Sequence, residues 1–186
     1  TVGPVADYTN PALSPDGDRL AVCISDPVTS KRDIWIVDLA RGSRTRFTSD
    51  PGDDLNPVWS PDGGQIAFTS DRRGERDIYV KSASGTGEDH LLFASEMRKS
   101  TENWSSDGKF LLYNEHKPPG PVSIFALPMT GGAERKPMTV VQGRFNQSMS
   151  QFSPDRKALA YCSDESGRNE VYVQRFPVSG ERWQVS

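Results

Sequence analysis

The chain has 186 residues, 34% of them hydrophobic and 25% charged, with 16 Gly and 14 Pro. Its 22 Lys and Arg are scattered among 25 Asp and Glu for a net charge of −3, which argues against a nucleic-acid partner, since such proteins gather basic residues on one face. No apolar run approaches the roughly 18 residues that a membrane helix needs, so direct membrane insertion is not expected.

Residues 1–10 read as a lead-in. Leu13 and the tight turn Ser14-Pro15-Asp16-Gly17 follow, and then three segments: Arg19 to Ser25, Asp33 to Leu39 and a weaker Arg44 to Ser49. The second unit repeats the scheme with Trp59, the turn Ser60-Pro61-Asp62-Gly63, and the segments Gln65 to Asp71, Asp77 to Ala83 and His90 to Ser95. The third has Trp104, Ser105-Ser106-Asp107-Gly108, Phe110 to His116, Val122 to Pro128 and Arg135 to Val140. The fourth has Phe152, Ser153-Pro154-Asp155-Arg156, Ala158 to Asp164, Glu170 to Phe176 and Arg182 to Ser186. Successive turn serines lie 46, 45 and 48 residues apart.

These segments are short, rich in Ile, Val, Phe, Tyr and Trp, and many alternate, as in Asp77-Ile78-Tyr79-Val80-Lys81. That is strand periodicity in segments too short for helices. With the residues ahead of each turn, every unit makes four strands. Four-stranded units at this period predict an all-β β-propeller of four blades, each of four antiparallel strands. The blades are expected at about 11–49, 57–95, 102–140 and 149–186. The turn has a physical basis: Pro presets φ at its first corner, Asp bonds back to nearby N–H groups, and Gly supplies a positive φ. Arg156 in the Gly position predicts a slightly different or mildly strained fourth turn.

The Trp59-Ser60-Pro61-Asp62-Gly63 turn, the strand Ile66 to Asp71 and Asp77-Ile78-Tyr79-Val80 resemble the TolB-like propeller repeat, a relative of the WD repeat. Asn10 to Gly17, Asp33-Ile34-Trp35 and Ser163 to Arg168 also look like propellers attached to bacterial receptor-like serine/threonine protein kinases. Similar repeats precede the hydrolase domain of prolyl-oligopeptidase-like peptidases. Propellers of this family usually have more blades than four, so the resemblance implies an arc of a larger ring. The chain starts at Thr1 rather than Met, which fits a piece of a longer protein. The resemblance favours an extracytoplasmic, periplasmic setting over the cytoplasm.

Enzyme motifs are missing: there is no Gly-x-Ser-x-Gly elbow, no phosphate loop and no kinase signature. No cofactor or metal is implied. His90 and His116, the two histidines, read as edge residues. Asp53-Asp54 fit no calcium-loop spacing and read as a solvated turn. Asp71, Arg72, Arg73, Arg76 and Asp77 read as a surface ion-pair cluster worth little energy. Leu13, Trp59, Trp104 and Phe152 read as inter-blade core, as do Trp35, Tyr79, Phe125 and Tyr172; Trp183 reads as half exposed. Cys23 and Cys162 occupy equivalent places and read as free thiols.

What remains is the scaffold's binding surface. Loops leading into each blade are expected on one rim with the loops between second and third strands. They nominate Asn10, Asp53, Asp54, Asn56, Arg98, Glu102, Arg144, Asn146 and Gln147. The expected function is a non-catalytic sensor or interaction module for a protein or peptide partner. The alternatives are the gating propeller of a peptidase and a TolB-like periplasmic scaffold. Exposed end faces of an arc predict self-association.

Overall fold

A computed structural model describes residues 6–132 and 135–186. Among the described residues it is all-β, with sixteen strands in four antiparallel sheets. Sheet 1 holds β1 (Tyr8–Leu13), β2 (Arg19–Ser25), β3 (Arg32–Asp38) and β4 (Arg44–Arg46). Sheet 2 holds β5 (Asp54–Trp59), β6 (Gln65–Arg73), β7 (Glu75–Ser82) and β8 (His90–Phe93). Sheet 3 holds β9 (Arg98–Trp104), β10 (Phe110–His116), β11 (Ser123–Pro128) and β12 (Met138–Val141). Sheet 4 holds β13 (Gln147–Phe152), β14 (Ala158–Ser163), β15 (Glu170–Arg175) and β16 (Arg182–Gln184). In each sheet the strands pair in sequence order, which is the meander of a propeller blade.

The first strands start earlier than the spacing suggested. Tyr8, Thr9 and Asn10 belong to β1 rather than to a lead-in, while residues 1–5 lie outside the described residues. Strands β5, β9 and β13 likewise begin before positions 57, 102 and 149. Every first strand carries a register shift against its second strand. In three of them a residue of positive φ sits at that shift: Asn10 (50°), Asn56 (53°) and Met149 (57°). Asn tolerates this region, whereas Met is strained there. The irregularity hides the first strand's length from a period-two reading.

All four turns close alike. The fourth residue donates its backbone N–H to the Ser carbonyl at 2.8–2.9 Å, as Gly17, Gly63, Gly108 and Arg156. The Ser hydroxyl donates to the Asp carboxylate at 2.5–2.7 Å in every copy. These bonds hold Asp16, Asp62, Asp107 and Asp155 below the usual carboxylate range. Arg156 has φ 61°, so it adopts the conformation that Gly fills elsewhere.

The chain divides into two compact units, Thr1–Ser95 and Glu96–Ser186. In the first, Ala21, Cys23, Ile34 and Phe47 of sheet 1 and its outer edge pack with Leu55, Trp59, Ile66, Phe68 and Tyr79 of sheet 2. In the second, Leu112, Ile124, Ala126 and Val140 of sheet 3 pack with Leu159, Tyr161 and Tyr172 of sheet 4. The corresponding faces meet in both units. Paired aromatic rings stack across the second and third strands of three sheets, with centroids 5.7–5.9 Å apart: Phe68–Tyr79, Tyr113–Phe125 and Tyr161–Tyr172. Sheet 1 has Val22 opposite Trp35 instead.

Of the residues read as core, Trp59, Trp104, Tyr79 and Tyr172 are buried, and Trp35, Phe125 and Phe152 partly so. Leu13 is the exception at 58% exposed. Trp183 is 48% exposed. Both cysteines are free, and burial pushes the Cys23 thiol up to about 12.

Candidate functional site

The nine nominated residues are positioned chiefly by the first strands and the loops before them, but most are committed to the scaffold. Asp53 shows how. Its carboxylate accepts the backbone N–H of Arg32, at the start of β3, at 3.0 Å. Its own N–H donates to the Asp71 carboxylate at 2.8 Å. Asn146 repeats this in the second unit: its side-chain carbonyl accepts the N–H of Val122 at 3.1 Å, and its N–H donates to Asp164 at 2.9 Å. Each thus ties the loop between second and third strands to the loop leading into the next sheet, bringing these two loops to one rim within each unit. Register puts Arg98 in the corresponding place on sheet 3 and Asp7 on sheet 1.

Asp54 is not in a loop. It lies in β5, is 0% exposed and takes the Arg72 guanidinium at 3.1 Å. Burial raises its carboxyl above the usual value, opposed by hydrogen bonds and by the Arg72 charge. Arg72 also pairs with Asp50 at 2.6 Å and with Asp89 at 2.7 Å, while Lys81 meets Asp89 at 3.0 Å. The guanidinium lies 4.4 Å over the Tyr79 ring. The expected surface cluster around Arg72 is therefore corrected: β6 runs through Arg73, carrying Arg72 inward to acids outside the hairpin. Gly52 permits this, because a Cβ there would stand 2.7 Å from the Arg72 backbone nitrogen.

Glu102 is also in a strand rather than a loop. It reaches from β9 to the irregular stretch of β13, accepting the N–H groups of Met149 (2.7 Å) and Ser150 (2.8 Å) and the Ser150 hydroxyl. Asn114 donates to it at 2.8 Å. Burial raises its carboxyl above the ordinary value despite these donors. Gln147 is buried at the start of β13, and Asn56 is partly buried in β5. That leaves Asn10, Arg98 and Arg144 as exposed candidates outside the bracing, since Asn146, also exposed, is committed to Val122 and Asp164. Arg144 lies 5.5 Å over the Phe145 ring.

Sequence reasoning missed one feature. A cavity of about 410 Å³ opens on sheet 1, walled by Asp7, Asp26, Asp33, Trp35, Arg44 and Arg46 among others. Asp33 pairs with Arg46 at 2.6 Å, and burial raises its carboxyl above the usual range. The Asp-Ile start of β3 matches that of β7, so the motif gave no sign that one copy would border a cavity.

The pattern of the TolB beta propeller domain matches residues 6–139. The chain is 33% identical over 114 residues to an uncharacterized peptidase, YuxL, of Bacillus subtilis, covering 58% of this chain and 17% of that protein. It is 32% identical over 106 residues to the Tol-Pal system protein TolB of Francisella tularensis, covering 56% of this chain and 24% of that one. The crystal structure of TolB from Acinetobacter baumannii superposes with a TM-score of 0.77 at 24% identity, over 97% of this chain and 44% of that one. The chain thus spans less than a quarter of the length of these two sequence relatives. The recurring turn, the four meander sheets and this match together make the chain a member of the TolB beta propeller domain family.

Proposed function

We propose that the chain is a non-catalytic binding module for a protein or peptide, working as part of a larger bacterial protein. The observation that carries this is the division of labour among its polar residues. Asp53, Asp54, Glu102 and Asn146 brace the sheets, while Asn10, Arg98 and Arg144 are left exposed on strands and loops that this bracing holds rigid. A stiff frame with variable exposed residues suits recognition. A receptor-like kinase is the parent proposed from the sequence resemblance, with an extracytoplasmic setting and self-association through sheet faces. Purified chain should show no hydrolytic turnover on peptide and ester substrates. A peptide library should yield ligands whose binding weakens on Arg98→Ala or Arg144→Ala. Turnover by the chain alone overturns the proposal.

A second reading has its own support. The identity to a Bacillus peptidase favours a propeller that gates a neighbouring hydrolase domain. Fusion of the chain to its native neighbours, followed by a size-dependent peptidase assay, separates the two: only a gate makes long substrates slower than short ones.

A further inference from the structure

We infer that the chain binds a second copy of itself head to tail, with sheet 4 of one copy docked on sheet 1 of the other. This deepens the self-association proposed above and rests on it, but not on peptide binding. The first unit supplies the template. There one face of sheet 1, carrying Ala21, Cys23, Ile34 and Phe47, packs on sheet 2. Register identifies the corresponding face of sheet 4. Cys162 pairs with Val171 as Cys23 pairs with Ile34, and Ala160 with Val173 as Ala21 with Ile36. Val185 donates its N–H to the Val171 carbonyl at 2.8 Å, as Phe47 does to Ile34. Ile34 and Phe47 are buried, whereas Val171 is 36% and Val185 66% exposed. Trp183, opposite Val173, is half exposed beside them. Sheet 4 thus presents the apolar half of a joint, and such contiguous apolar surface marks an interaction site.

The polar halves of the same joint say which surface fits. Asp7, Asp53 and Asn146 hold one place in their sheets: their backbone carbonyls accept the N–H groups of Ser25, Asp71 and Asp164, each at 3.3 Å. The side chains of Asp53 and Asn146 then accept an N–H from the preceding sheet, that of Arg32 or Val122. The Asp7 carboxylate is exposed and has no hydrogen-bond partner among the described residues. In sheet 4 the place of Arg32 belongs to Asn169, because Ser163 pairs with Glu170 as Ile24 pairs with Asp33. The Asn169 N–H has no acceptor among the described residues either. Leu13 adds an apolar match. It stands where Trp59 stands in sheet 2. Trp59 is buried and donates its indole N–H to the Ala12 carbonyl at 2.9 Å, whereas Leu13 is 58% exposed. Sheet 1 therefore shows the half that sheet 2 uses to sit on sheet 1, and sheet 4 shows the half that receives it. A second copy carries both in matching register, with Asp7 of one copy accepting the Asn169 N–H of the other. Such a joint is heterologous, since the two copies contribute different faces.

The test is light scattering of the purified full chain over a range of concentrations, with variants at exposed positions that the fold tolerates. The native chain should form dimers or longer assemblies. Val171→Lys and Leu13→Lys, one on each face, should each abolish them. Mixed together, these two variants should pair one to one, because each keeps the half that the other has lost. Sheet 4 pairing with its own copy gives no such rescue. Asp7→Ala should weaken association about tenfold. Asp7→Asn should stay within about twofold of the native chain, since Asn146 makes the same tie with an amide. Alkylation of the partly exposed Cys162 should slow as concentration rises, while buried Cys23 stays unreactive throughout. A chain still monomeric at about 1 mM overturns the inference. So do association untouched by Val171→Lys, a mixture that stays unpaired, and equal weakening by Asp7→Ala and Asp7→Asn. Peptide binding through Arg98 and Arg144 is assayed separately, so a monomer that binds peptide sinks only this joint, and an assembly that binds none sinks only that reading.

Discussion

The two sheet pairs brace themselves with opposite charges. Within the first unit, a cation is enclosed: Arg72 stands among Asp50, Asp54 and Asp89, with Tyr79 beneath it. Within the second unit, an anion is enclosed: Glu102 crosses from sheet 3 and is surrounded by donors from Met149, Ser150 and Asn114. The backbone tie made by Asp53 and Asn146 is common to both. A repeat can therefore fix where sheets meet through backbone geometry while leaving the buried charge free to change sign.

The largest test of this contrast is Arg72→Met. It leaves Asp54, fully buried, facing other carboxylates, and breaking such a pair costs about 3–5 kcal/mol. Urea unfolding followed by a first-unit tryptophan signal should register this loss, and a change below about 1 kcal/mol would make Arg72 peripheral. Next comes Glu102→Ala, which strips the acceptor from two backbone N–H groups and two side chains; about 1–3 kcal/mol should go from the second unit. Amide exchange at Met149 and Ser150 should accelerate in that variant while Arg32 and Asp53 keep their protection.

Smaller effects should stabilise. Arg156→Gly and Met149→Asn replace residues held at φ 61° and 57° by residues suited to that region. Each should add about 1 kcal/mol or somewhat less, seen as a higher melting temperature. The smallest effect is one of pH. The Glu102 carboxyl is raised in the fold by burial. Its contribution is therefore complete below its unfolded value near 4.5 and is lost as pH rises through the higher folded value. Stability should therefore fall as pH rises from about 4 through the folded value in the native chain and not in Glu102→Gln, and identical profiles would contradict the raised carboxyl.

Second and third strands were legible in the sequence because alternation and β-branched residues mark them: Arg19–Ser25 and Phe110–His116 fall where the pattern puts them. The turns were legible to the strain at Arg156. The first strands were less so, since Asn10, Asn56 and Met149 interrupt the alternation that would reveal them. The candidate site was legible by position but not by role. Asp54 and Glu102 look like loop acids until their long-range partners, Arg72 and Ser150, are known, and such pairings leave no local pattern.

The Ser–Asp turn has a consequence for the order of assembly. The bonds that close it, made by the Ser carbonyl, the Ser hydroxyl and the Asp carboxylate, join residues five or fewer positions apart. Closing such a short loop is fast and entropically cheap compared with docking one sheet on another. The chain therefore holds four separate starting points, each able to set the first hairpin of its sheet while later residues are still being synthesised. Hydrogen-exchange labelling during refolding should find Arg19, Gln65, Phe110 and Ala158 protected before Arg32 and Val122. Sheets made this way arrive as preformed hairpins, and docking them becomes the slow and selective stage.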